Sequence, residues 1–550
     1  MDVSTALLLT LAVVYSTIVY ILTRQRRFPS FPGPIGYPII GTILPQENTY
    51  VKMMEYSKQY GPVYALRVLS TRVLSAAREL LEVRSGIYSN RLAPKMIEMI
   101  GLDDGIIFQP QPSRLREGRK LLASGLQPRE LEAFRPVIQA AVVRFLSLLL
   151  KEPKDFLSHL HRSRTRLPTA VSLEIAYGYT AASGKDDPFA TRMKSFVKGF
   201  DKAAAVSVNE GFAVNWLPFL SYLPSWLPGL TFKRVARTWK KELLDTLREG
   251  FDRVKDEVAR GVAKPSVLSC ALEDGSSGYT EDVMLKSLPE LFTGENLMSR
   301  LFTTSIQLMT YGGIAGGSET SISAMSTFFL AMTLNSEVQF RAQEELDRVI
   351  GSGRLPTYGD RDGLPYVMAV MTEVLRWHTP LPCVYRTSTK DDVYEGCFVA
   401  KGSTLLVNLW AMFHDEARFT EPGKFKPERW LGGCKPSDER DVDPLELAFG
   451  FGRRVCPGKY MAQELLFNVI ASTLAVFNIR KAKDDNGNEI TPSVIYSNGS
   501  MPYVALRSKL VDSAEKLDGI YHPHSAPLPF QCEVVPRSQQ AVSLVDDAWN

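Results

Sequence analysis

One decapeptide constrains this chain more than any other stretch: Phe449-Gly450-Phe451-Gly452-Arg453-Arg454-Val455-Cys456-Pro457-Gly458, set just before an amphipathic run that starts near Tyr460. Glycines at 450 and 452 admit backbone conformations closed to other residues. Gly458 leaves room for a flat ligand to approach, and Pro457 suits the first turn of a following helix. Cys456 then stands at a helix N-terminus. Backbone N–H groups, the positive dipole end and two arginines nearby are expected to depress its pKa and keep it as thiolate, the form that ligates metal. A buried structural cysteine in a tight turn would not explain glycines and arginines stacked around one thiol.

Other cysteines supply no competing chemistry. The six, at 270, 383, 397, 434, 456 and 532, form no CxxC pair and no regular spacing, so neither a zinc template nor a dense disulfide scaffold fits. A reducing, cytosol-facing body follows. Over 550 residues, 64 Lys plus Arg against 60 Asp plus Glu leave a net charge of +4, which argues against nucleic acid as a partner. A composition 45% hydrophobic and 23% charged is that of a globular protein, and excludes a disordered, collagen-like or multi-span membrane chain.

From Val3 to Leu22 the chain is uncharged and apolar, which as a helix matches the roughly 30 Å hydrocarbon thickness of a bilayer. Arg24, Arg26 and Arg27 follow and Asp2 precedes, so the body is expected on the cytoplasmic side. A cleaved secretory signal would need a basic start, a shorter apolar run and a small-residue cleavage site. Residues 1–23 therefore read as a transmembrane anchor, 24–45 as a basic, proline-rich hinge around Phe31-Pro32-Gly33-Pro34, and 46–550 as one large domain.

Within that domain helical periodicity dominates: Leu131–Leu150, Val235–Val258, Leu301–Leu334, Val338–Ile350, Val367–Trp377 and Tyr460–Val476. Strand signals cover Val63–Val68, Val393–Phe398 and Thr404–Asn408. The expected fold is mainly α with a small β part. Between Phe212 and Leu230, three prolines break a run rich in Trp, Phe, Tyr and Leu, which suits either a buried loop or a second membrane contact.

The decapeptide matches the FxxGxRxCxG signature of the cytochrome P450 superfamily of haem-thiolate monooxygenases, and the chain from Phe28 onward is similar to fungal microsomal members linked to secondary metabolism. That resemblance implies a single large fold enclosing haem b. Cys456 would be the axial iron ligand, Arg454 a propionate partner and Phe449 a neighbour of the thiolate, with Gly452 and Gly458 shaping the loop. Ala315-Gly316-Gly317-Ser318-Glu319-Thr320 resembles the family's oxygen-activation motif, by which Thr320 positions oxygen and Glu319 helps feed protons. Glu373 and Arg376, with Arg429 in Pro427-Glu428-Arg429-Trp430, resemble a Glu-Arg-Arg network that locks the core behind the haem. Arg386 falls where relatives place a propionate-binding residue. The pocket would draw on residues 87–107, 311–315, 382–384 and 496–501, mostly apolar or small, which suggests a terpenoid, polyketide or fatty substrate.

Two departures stand out. Where the family has WxxxR, this chain reads Leu115-Arg116-Glu117-Gly118-Arg119, so Arg119 is present without its Trp. About two dozen extra residues, 502–525, separate the last substrate-facing turn from the closing strand and read as an inserted loop or a retained intron. No flavin or dinucleotide segment is evident, so electrons are expected from NADPH through a partner reductase, with cytochrome b5 as a further donor. The implied location is the endoplasmic reticulum membrane, single-pass. A haem-thiolate isomerase or dehydratase, and a silent haem-binding protein, are the rival readings.

Overall fold

The structure, a computed structural model, describes residues 29–36, 42, 49–68, 71–75, 79–103, 105–161, 167–180, 189, 192, 202–203, 212–273, 319–432, 443–497 and 525–549. The expected anchor, residues 301–318, the pocket segment 311–315 and residues 498–524 lie outside the described residues.

Apolar periodicity and proline placement set the helices. The longer ones are α1 (Thr49–Tyr60), α2 (Pro112–Leu126), α3 (Arg135–Lys151), α4 (Phe232–Ala259), α5 (319–334), α6 (Ser336–Val349), α7 (Pro365–Trp377), α8 (Lys459–Val476) and α9 (Gln539–Trp549). Pro112 and Pro365 open α2 and α7, where a missing N–H costs nothing. The Glu345 carboxylate of α6 accepts the N–H groups of Tyr366 and Val367 at 2.9–3.0 Å, an anion on the positive end of α7. Helices α5, α7 and α8 are apolar nearly all round and accordingly buried, and they meet α3 in the central core through Phe145, Phe328, Phe329, Val370, Leu465 and Phe467.

The stretch Pro112–Lys151 is the one among the described residues long and apolar enough to cross a bilayer. It is interrupted between α2 and α3, and Ile138, Val142, Phe145, Leu146 and Leu149 pack into the core. It is a core element.

Among the described residues, nine strands make three small sheets. Strands β1 (Ala65–Val68), β2 (Thr71–Ser75), β6 (Thr404–Asn408) and β3 (Cys383–Thr387) lie in that spatial order, antiparallel, parallel, then antiparallel. β7 (Phe477–Lys483) pairs antiparallel with both β8 (Glu489–Ile490) and β9 (Cys532–Pro536). The expected single strand Val393–Phe398 is instead a hairpin of β4 (Asp392–Tyr394) and β5 (Cys397–Val399), because Glu395 and Gly396 both take positive φ, 48° and 76°, and reverse the chain.

The proline-rich hinge is docked on the body over its described part. Pro32 accepts the Ala65 N–H at 2.8 Å, Phe31 stacks on Tyr394, and a Cβ on Gly33 would lie 2.0 Å from the Ala65 carbonyl oxygen, so only glycine fits. The 212–230 segment divides its side chains between the two expectations. Leu220, Leu223 and Leu227 pack on a core cluster while Leu217, Phe219, Tyr222 and Trp226 stand exposed, Trp226 at 77%.

Candidate haem-thiolate site

The cysteine loop is built by its own backbone. Asp443 caps the turn Pro444–Leu447 by accepting the Leu445 N–H, and Gly450 and Gly452 then take φ of +83° and +54°. The Cys456 N–H returns to the Phe449 carbonyl at 2.8 Å and closes the loop, so Phe449 is a direct neighbour of the cysteine. Helix α8 follows, with Gly458 as its cap residue. A Cβ on Gly452 would lie 2.2 Å from the Leu81 carbonyl oxygen in the π-helical turn Glu79–Val83. Gly452→Ala combines that clash with left-handed backbone strain, and the expected outcome is a loss of at least about 3 kcal/mol in chemical denaturation.

Sequence reasoning misjudged the thiol. Burial pushes the Cys456 pKa above the usual thiol value, outweighing the Gly458 N–H and the charges of Arg119, Arg91 and Lys459 that pull it down. The helix terminus alone does not make a thiolate here. A bound metal cation would, because coordination deprotonates a thiol outright.

Around the loop stands a ring of arginines. Arg454 is buried and donates to the carbonyls of Ser89, Ile106 (2.9 Å) and Gln109. Arg386, also buried, donates to the Tyr385 carbonyl at 2.8 Å. Arg119 donates to the Val455 carbonyl at 2.8 Å, next to Cys456. Arg91, which sequence reasoning did not single out, donates to the Ile107 carbonyl at 3.1 Å and lies among the same charges. Burial first, then mutual repulsion from Arg91 and Arg119, holds the Arg454 guanidinium far below its usual range, and Arg386 is lowered in the same way. Among the described residues none of the four has a carboxylate partner within ion-pair distance.

Clustered cations of this kind are costly without counter-charge. A flat metal group bearing two carboxylates supplies it, and Cys456 supplies the metal ligand, so the residues present fit haem. The position of the missing indole is taken up by packing. Leu115 is buried in the central core, and the Gln109-Pro110-Gln111-Pro112 stretch is bonded to the loop through Arg454.

Behind the loop, Glu373 and Arg376 are fully buried and form a bidentate pair, Nη2 to Oε1 at 2.7 Å and Nε to Oε2 at 2.8 Å. Arg429 Nε donates to the same carboxylate at 3.1 Å, the Lys426 N–H at 2.8 Å and the Trp430 indole at 2.9 Å. Arg376 also donates to the carbonyls of Phe413 and Lys424. Every lone pair is used, which a buried carboxylate requires. The network brings together the three residues expected from sequence. Glu319 and Thr320 begin the described part of α5, with Glu319 buried at 7% exposure rather than solvated.

A mainly helical body with a glycine-rich cysteine loop ringed by guanidinium groups that have no carboxylate partner among the described residues defines a haem-thiolate protein. The family model described as Cytochrome P450 matches residues 31–503. The chain is 32% identical over 548 residues to Cytochrome P450 monooxygenase 208 of Postia placenta, covering 97% of this chain and 96% of that one. It is also 33% identical over 546 residues to Cytochrome P450 monooxygenase claR of Ampulloclitocybe clavipes, covering 96% and 91%. A third relative, Cytochrome P450 monooxygenase COX2 of Coprinopsis cinerea, is 32% identical over 535 residues, 95% and 92% of the two chains. This chain belongs to the cytochrome P450 family and is a haem-thiolate monooxygenase, with haem b as cofactor and electrons from a partner reductase.

Proposed function

We propose that this monooxygenase inserts one oxygen atom of O₂ into an apolar small molecule of fungal secondary metabolism, a terpenoid or polyketide, at the endoplasmic reticulum membrane. The observation that carries the reading is Cys456 within its ring of arginines. Cys456 would hold the iron, and Arg91, Arg119, Arg386 and Arg454 the two propionates. When bound, haem supplies the redox chemistry, its thiolate ligand favouring O–O cleavage. NADPH reaches the protein only through the reductase, and cytochrome b5 is a second donor. Residues 1–23 anchor the chain, and the outward Phe219, Tyr222 and Trp226 lie at the lipid–water boundary, where such rings are favoured. Residues 502–525 are an insertion in the gene or in the fold; recovery of peptides covering 502–525 from the native protein would exclude an unspliced intron.

Within the chain, buried Glu319 beside Thr320 would hold and pass protons. A buried acid and adjacent alcohol favour oxygen chemistry over isomerisation or dehydration, which need no such supply. Thr320→Ala, assayed in membranes with reductase and an accepted substrate, is expected to keep consuming NADPH while product falls at least about tenfold and hydrogen peroxide rises. Turnover independent of NADPH and reductase would overturn the monooxygenase reading.

A further inference from the structure

One buried serine joins segments that the sequence places far apart. Ser525 is fully buried and His378 nearly so, and His378 Nε2 lies 2.7 Å from Ser525 Oγ. The Ser525 hydroxyl donates to the Ser497 carbonyl, so the proton between Ser525 and His378 belongs to the imidazole: Nε2–H donates to Oγ. Ser323 Oγ donates to the Ser525 carbonyl, and the Ser525 N–H donates to the Pro380 carbonyl at 2.8 Å. Ser497 and Ala526 add two more bonds across the same junction, Ser497 N–H to the Ala526 carbonyl at 2.8 Å and Ala526 N–H to Ser497 Oγ at 3.0 Å. Tyr496 stacks on the His378 ring, with centroids 3.3 Å apart and planes within 16°. Its hydroxyl is buried beside Thr327 without a well-formed hydrogen bond, and the tyrosine is held by the stack on His378, the edge of Trp377 and a backbone bridge to Pro527.

Each joined segment carries a piece of the proposed reaction chamber. Ser323 follows Glu319 by one turn of α5. Pro380 lies two residues before the 382–384 wall, and Tyr496 and Ser497 are the first residues of the 496–501 wall segment. We infer that Ser525 and His378 form a positioning latch that sets the spacing between the Glu319–Thr320 turn and the walls at 382–384 and 496–497, and thereby selects which part of a bulky apolar substrate is presented. The inference rests on the proposed reading of those segments as substrate walls and on Ser525, the last residue of the 502–525 segment, belonging to the mature protein. Neither residue touches the reacting atoms; both act through the backbone they hold. Burial pushes the His378 pKa well below its ordinary value, which is consistent with a neutral ring donating Nε2–H to Ser525.

The test uses the full-length protein in membranes and two probes that bind iron through nitrogen: imidazole, which reports the metal centre, and phenylimidazole, whose ring also meets the walls. Ser525→Ala removes the side-chain bonds to His378, Ser497 and Tyr50 but leaves the main-chain bonds to Ser323 and Pro380. It is expected to weaken phenylimidazole binding about tenfold, read from the Soret shift, while imidazole binding changes less than about twofold. Ser525→Thr, which keeps the hydroxyl, is expected to restore the difference. Independently of haem, amide exchange at Ser497 and Ala526 should accelerate in Ser525→Ala. His378→Phe keeps the stack under Tyr496 and removes the donor, and it carries the same expectation where Ser525→Ala does not accumulate. An unchanged ratio of the two affinities in either variant overturns the latch. Failure of both probes to shift the wild-type Soret band instead overturns the haem-thiolate assignment of the site, a distinct result.

Discussion

Cys456→Ala yields a folded protein without the strongly red-shifted Soret band of the reduced, carbon-monoxide-treated wild type, and with no NADPH-dependent turnover. The residue lies in a loop closed by main-chain bonds, the Cys456 N–H to the Phe449 carbonyl among them, which alanine retains. The fold therefore survives in far-UV circular dichroism while the ligand is lost. The arginine ring persists in the variant, so residual haem binding with an unshifted band is compatible with the assignment. A red-shifted band without Cys456 is not.

Glu373→Ala has the opposite signature, losing the fold rather than only the spectrum. It leaves the guanidinium of Arg376, with no exposed surface, and its neighbour Arg429 without counter-charge in the core. Breaking a buried pair in this way costs about 3–5 kcal/mol, and Glu373 accepts two further hydrogen bonds that are lost as well. Against a total stability of about 5–15 kcal/mol, little folded protein should remain at growth temperature. Arg376→Ala should behave alike, since it strands the carboxylate. The check is soluble or membrane-integrated yield and protease resistance, with Cys456→Ala as the folded control. Normal yield and resistance for both variants would remove the network from the structural role given to it.

Local features were legible in the sequence. Thr404–Asn408 is the strand expected to the residue, and α7 and α8 differ from expectation only at their first turns, because apolar spacing and proline placement act within a few residues. The cysteine loop and the Glu373–Arg376 spacing were equally local. What escaped depends on contacts between distant segments. Arg91 has no motif around it, and its place among the arginines emerges only where Ser89, Ile106 and Gln109 are bonded to Arg454 of the Cys456 loop. The strand β7 runs directly out of α8 with no turn residue between them, so nothing in the spacing marks the change. The thiol's raised pKa reflects the packing around Cys456, which no local pattern encodes. The hairpin at 392–399 was missed for a local reason, the Glu395-Gly396 turn having been passed over.

The docking of the proline-rich segment changes the length of the leash. Read from the sequence, residues 24–45 suggest a spacer of more than twenty residues between a bilayer and the body. Yet the Phe398 N–H already reaches the Pro29 carbonyl, and Pro32 is bonded to β1. For an anchor ending at residue 23, only 24–28 remain to bridge the gap. Fully extended, five residues reach about 17 Å. The edge formed by β1 and the β4–β5 hairpin would then be held within that distance of the lipid, and the catalytic body would have little freedom to swing away from the surface where apolar substrates dissolve.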